Sequence, residues 1–205
     1  MITVNAKLFR IASMFSGKEP TRYYLKGVHI EKAKEGVLLV ATDGHRLIVI
    51  NDKEGKCKGN SIIVKTSKHF LDATKKTKLE YKERLINVTS DGTATILESG
   101  PVKAIVQYND FIIDEMFPKW KSAVPWNIKE TSPAGYNYKY LNDFGKAAKE
   151  LTGSDSISIK GTEEGAAIVR FGNCDYAFGI LMPVKFVDMG VPQDLKYLEK
   201  TSKEK

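Results

Sequence analysis

The residues best placed to do chemistry sit together in Thr42-Asp43-Gly44-His45-Arg46. A carboxylate, an imidazole and a guanidinium this close offer a general base, a proton shuttle and an anion clamp. Such a site also needs a nucleophile or a metal within reach. The chain supplies neither in a recognisable pattern. His29 and His69 stand alone, and Cys57 and Cys174 lie far apart with no metal-ligand spacing. There is no Cys-x-x-Cys, no His-x-x-x-His, no phosphate-binding glycine loop and no dinucleotide fingerprint. The simpler reading makes Asp43-Gly44 a turn between two strands. No catalytic site, metal or cofactor is therefore expected.

The elements that must carry these residues recur. A strand at Ile2-Thr3-Val4 precedes a helix with Leu8, Ile11, Ala12 and Phe15 on one face, then strands at YYLKGVHIEK, GVLLVAT and HRLIVIND. The order returns with a strand at Ser61–Val64 and a helix over KHFLDATKK, capped by Ser67. Strands follow at KLEYKE, RLINVTS, TATILES and VKAIVQYN, with Asp91-Gly92 marking a hairpin. A third unit starts near Gly135, has its helix at YLNDFGKAAKEL, and continues through SISIKG, AAIVRFG and YAFGILMPVKF. The expected fold class is α+β, built from three β-α-β-β-β units with helices on one face and sheets on the other.

A connector with Pro118, Pro125 and Pro133 separates the second and third units. The expected division is a complete domain at 1–125, a connector and half-domain at 126–186, and a polar tail at 187–205. Units one and two can cover each other. Unit three needs a partner, and two copies pairing about a two-fold axis would supply one.

Thirty-two Lys and Arg against 25 acids leave a net charge of +7, an excess that points to a polyanion such as nucleic acid. There is no apolar run long enough to span a bilayer and no signal-peptide pattern. With so few cysteines, a reduced, cytoplasmic setting is expected.

Four stretches, in order, resemble the bacterial DNA polymerase III beta sliding clamp family. They are RYYLKG, VATDGHRL, the FPKWKSAVP segment from Phe117 to Pro125, and the Leu181-Met182-Pro183-Val184-Lys185 strand. The match is to the middle domain followed by the second half of the last domain. The resemblance implies a ring of such units around duplex DNA, helices lining the hole, and tethering of a polymerase, the clamp loader and other clients. If the ring holds twelve units, three per chain close it as a homo-oligomeric tetramer. Two rivals share parts of this reading. One is an open clamp mimic that captures client peptides, and the other is a basic DNA-binding protein with no client pocket.

The resemblance also implies a peptide-binding pocket walled by Leu25, Thr42, Gly44, Arg46, Leu47, Pro118, Ala123, Ile180, Met182, Pro183 and Val184. Where the family usually has a basic residue and Val, this chain has Ser122 and Ala123. Apolar walls with a few polar groups suit such a pocket, and methionine adapts to several ligands. In a ring, Lys7 and Arg10 of the first helix, Lys68, Lys75 and Lys76 of the second, and Lys146 and Lys149 of the third would meet DNA phosphates without reading bases.

Overall fold

The computed structural model describes residues 1–75, 84–98, 104–125, 135–161 and 165–184. Unit one comprises β1 (Ile2–Asn5), α1 (Ala6–Ser13), β2 (Gly27–Lys32), β3 (Val37–Thr42) and β4 (Arg46–Asp52), followed by a short β5 (Lys56–Cys57). Unit two comprises β6 (Ile62–Lys65), α2 (Lys68–Ala73), β7 (Arg84–Val88), β8 (Ala94–Glu98), β9 (Ala104–Tyr108) and a short β10 (Ile112–Ile113). Unit three comprises α3 (Tyr138–Thr152), β11 (Ser158–Lys160), β12 (Ala167–Arg170) and β13 (Ala177–Leu181).

Each helix starts where a short polar side chain can take the first free amides. Asn5 accepts from Lys7 N at 2.9 Å, Ser67 from Phe70 N at 3.3 Å, and Asn137 from Lys139 N at 3.0 Å. Gly153, at φ 78°, ends α3 in the left-handed conformation that glycine tolerates.

Two sheets result among the described residues, in the orders β5-β1-β7-β8-β9 and β10-β6-β2-β3-β4-β13-β12-β11. Units one and two exchange their first strands: β1 pairs with β7, and β6 pairs with β2. Neither unit's sheet is complete without the other. Unit three joins the sheet of unit one within the same chain. Its last strand runs antiparallel to β4, with Ile180 opposite Leu47 and Leu181 opposite Arg46.

Strand alternation divides the eight-stranded sheet into two faces. Ile48, Ile50 and Leu181 join the main core with Phe9, Phe15 and Phe144 from the helical layer. Leu47, Val49 and Ile180 join a second, outer cluster. Phe144 of α3 presses on β13 at Gly179, where an added Cβ would lie 2.1 Å from its ring.

Two expected strands differ. RYYLKG is not extended: Pro20–Leu25 forms a 3-10 turn, with Lys26 N bonded to Tyr23 O at 2.9 Å, and the strand begins at Gly27. Pro20 at the first helical position presets that turn. The start of unit three is a single bridge between Gly135 and Val184 rather than a strand. The expected strand KLEYKE lies outside the described residues. None of the helices among the described residues is long and apolar enough to cross a membrane.

Candidate functional site

The Thr42–Arg46 cluster is a turn. Asp43 accepts from His45 N at 2.9 Å and from Arg46 N at 3.1 Å. Thr42 donates to Arg46 O at 2.7 Å and accepts from Gly44 N at 3.0 Å. Gly44 has φ 91°, and a Cβ there would come within 2.6 Å of the Arg22 guanidinium. The Thr42 and Asp43 side chains are thus spent on holding the turn.

The turn lies beside a buried apolar cluster on the outer face. Leu25, Leu47 and Ile180 are buried in one cluster with Val40, Phe117, Trp120, Val124 and Ala166. Thr42 pairs in register with Leu47. Met182 donates its amide to His45 O at 3.0 Å and leaves its side chain 46% exposed. Pro183 is half-buried, and Val184 is exposed. Pro118 and Ala123 are exposed on the segment that packs Phe117, Trp120 and Val124 into this cluster.

Arg46 stands on the opposite face. Its guanidinium bonds Asp43 Oδ2 at 3.2 Å, Asp143 Oδ2 at 2.8 Å and Met14 O at 3.1 Å. It also lies 4.9 Å from the Phe15 ring centre and 4.7 Å from that of Tyr140. Adjacent strand residues cannot share a face, so Leu47 facing outward sends Arg46 toward the helices. Arg46 ties β4 to α3, and through that tie it holds unit three against unit one.

Phe117 and Trp120 were not among the expected wall residues. They bury the segment Phe117–Val124 on the sheet. Their signal in the sequence is two large aromatics in a proline-bounded stretch. Beside them opens a groove of about 690 Å³ whose lining includes His29, Glu31, Ile63, Ile113, Phe117 and Trp120. His29 stacks on Phe117 at 4.6 Å and 5°, and its Nε2 lies 3.2 Å from Glu31. Burial pushes the His29 imidazole below its usual value, against the pull of Glu31. Burial would raise the Glu31 carboxyl, but hydrogen bonds from Lys121 and His29 outweigh it and hold it low.

The helical face carries the cations. A groove of about 660 Å³ is lined by Arg10, Lys18, Lys26, Lys68, Lys75 and Lys146, with Ser13, Ser16, Thr66, Asp72 and Asp143 between them. Lys18 and Lys26 come from the loop segments before β2, so helical spacing could not reveal them. Lys7 is exposed on the first turn of α1. Lys75 pairs with Asp72 at 2.7 Å, Lys146 with Asp143 at 3.2 Å, and Lys149 with Asp155 at 3.2 Å. Water screens such exposed pairs, so they hold their lysines only weakly. Arg10 differs: it makes a two-pronged bond to Glu150 at 2.7 and 2.5 Å, joining α1 to α3. Lys76 lies outside the described residues. No cluster of metal-ligating side chains occurs among the described residues.

Residues 6–97 match the family described as the DNA polymerase III beta subunit, central domain. The fold as a whole matches solved bacterial clamps. The beta subunit from Borrelia burgdorferi, in complex with a natural product, superposes with a TM-score of 0.68 at 14% identity, over 91% of this chain and 64% of that one. The Pseudomonas aeruginosa subunit gives 0.67 at 15% identity, over 91% and 67%. The Bartonella birtlesii clamp, bound to griselimycin, gives 0.66 at 17% identity, over 90% and 66%. This chain thus spans about two thirds of their length. No curated protein matches it.

Proposed function

We propose that this chain, which has the fold of the bacterial DNA polymerase III beta clamp, acts as a clamp-type processivity factor. In this reading the helical face meets duplex DNA and the outer-face pocket tethers peptide segments of replication proteins. The observation that carries it is the junction of β4 with β13. It sets Leu47 of unit one opposite Ile180 of unit three, so the apolar cluster read here as the pocket floor draws on both units. Assembly into a homo-oligomer follows from the same reading, with four chains closing a ring of twelve units.

The basic groove supports the DNA half of the reading, because phosphate contacts from Lys and Arg bind duplex without reading sequence. The Bartonella clamp, which shares this fold, binds griselimycin, and that compound supplies a probe for the pocket half. Griselimycin is expected to bind this protein. Met182→Asp, at an exposed rim position, is expected to weaken that binding at least tenfold, the equivalent of one lost apolar contact of about 1.5 kcal/mol. The protein should stay folded. Unchanged affinity in Met182→Asp, or no binding by the wild type, refutes the pocket.

A further inference from the structure

We infer that His29, Glu31 and Lys121 form a clasp that positions the pocket wall Phe117–Val124, and that protonation of His29 opens it. The functional consequence rests on the pocket reading above, whereas the clasp itself is a separate piece of geometry.

Among the described residues, the wall has no strand partner. It contains a 3-10 turn at Trp120–Ala123 and holds to the sheet by burying Phe117, Trp120 and Val124. Its polar ties converge on β2. Phe117 lies flat on the His29 imidazole, and Lys121 Nζ reaches Glu31 Oε1 at 2.8 Å while lying 5.4 Å from the Trp120 ring centre. The other Glu31 oxygen faces His29 Nε2 at 3.2 Å. One carboxylate therefore serves both the strand and the wall.

The surroundings of His29 decide what protonation does. Its cross-strand neighbours are Val40 and Ile63, both apolar. The charged groups that act on it are Glu31 from its own strand and Lys121 from the wall. Asp114, Glu115 and Lys119 stand exposed elsewhere along the groove. At neutral pH the buried imidazole is uncharged, stacks on Phe117 and leaves Glu31 to Lys121. In acid an imidazolium appears between them. Two cations then compete for one carboxylate, and Lys121 is repelled from its tie. The wall shares its apolar cluster with Leu47 and Ile180, so releasing it alters the pocket floor.

The test uses the full chain with fluorinated tryptophan, Trp120 being told apart from Trp126 by Trp126→Phe. Its ¹⁹F signal is followed from pH 8 to pH 5. The wild type is expected to show a transition centred below the ordinary imidazole value of about 6.5. His29→Phe keeps the ring stack and should abolish the transition. Lys121→Met should show the acid-form signal already at pH 8, and Lys121→Arg should restore the wild-type signal. Griselimycin affinity should fall about two- to fivefold across the same transition and in Lys121→Met, the scale of one part-exposed ion pair. A silent Trp120 signal in the wild type, or a transition that survives in His29→Phe, overturns the clasp. A Trp120 transition without griselimycin binding at any pH upholds the clasp and refutes the pocket reading.

Discussion

Replacing Arg46 by alanine should loosen the junction between units one and three more than it affects any ligand. The side chain is 8% exposed and contacts two carboxylates, one carbonyl and two aromatic rings. A hydrogen bond to a charged group contributes about 1.5–3 kcal/mol, and breaking a buried pair costs about 3–5 kcal/mol. Asp143 keeps Lys146 at 3.2 Å and is 26% exposed, so water recovers part of the loss. The net cost should be about 3–4 kcal/mol. In a chain of this length each kcal/mol moves Tm by about 2–4 °C, so a drop of about 6–16 °C is expected. Differential scanning calorimetry measures it, and hydrogen exchange should show α3 and β13 opening first. The cycle of Arg46→Ala with Asp143→Asn should give a coupling above about 1 kcal/mol. Acid should act on the same tie. Burial would raise the Asp143 carboxyl, but bonds from Arg46 and Lys146 hold it below its usual value. A depressed carboxylate contributes stability above its unfolded pKa of about 3.9 and loses it as pH falls through the folded value. The Tm difference between wild type and Arg46→Ala should therefore shrink below about pH 4. A Tm within about 2 °C of wild type, or zero coupling, would refute an Arg46 that braces the helices.

Other consequences are as specific. Gly179→Ala places a Cβ 2.1 Å from the Phe144 ring and should cost about 1–3 kcal/mol in urea unfolding, with α3 displaced. Thr42→Val removes the hydroxyl that donates to Arg46 O and accepts from Gly44 N, and should cost about 1–3 kcal/mol. Lys18→Ala with Lys26→Ala should weaken duplex binding without changing sequence preference and should flatten its salt slope by about 2, read by fluorescence anisotropy across salt concentrations. An unchanged slope would place DNA away from this groove.

The course of each unit was largely legible in the sequence. Ser67 starts a helix, strand periodicity marks β2 to β4, and Asp43-Gly44 announces the hairpin that joins β3 to β4. The main error in that region, a strand at RYYLKG, came from giving two tyrosines and a leucine more weight than the proline before them. The site was less legible. The resemblance placed Arg46 and Leu47 in one pocket, yet a strand cannot show adjacent side chains to one face. Trp120 and Phe117 were overlooked because nothing local says which sheet they cover.

The sequence by itself determined the local units, their caps and turns, the alternation of their strands and the excess of positive charge. These depend on neighbours a few positions apart. Only the tertiary structure decided that β13 docks on β4, that units one and three share a sheet, and that basic residues from loops and from three helices meet in one groove. Residues such as Leu47 and Ile180 are far apart along the chain. An edge strand offers the same backbone donors and acceptors whatever its side chains. The choice of partner therefore falls to the packing of whole layers, here Phe144 on Gly179 and Arg46 on Asp143.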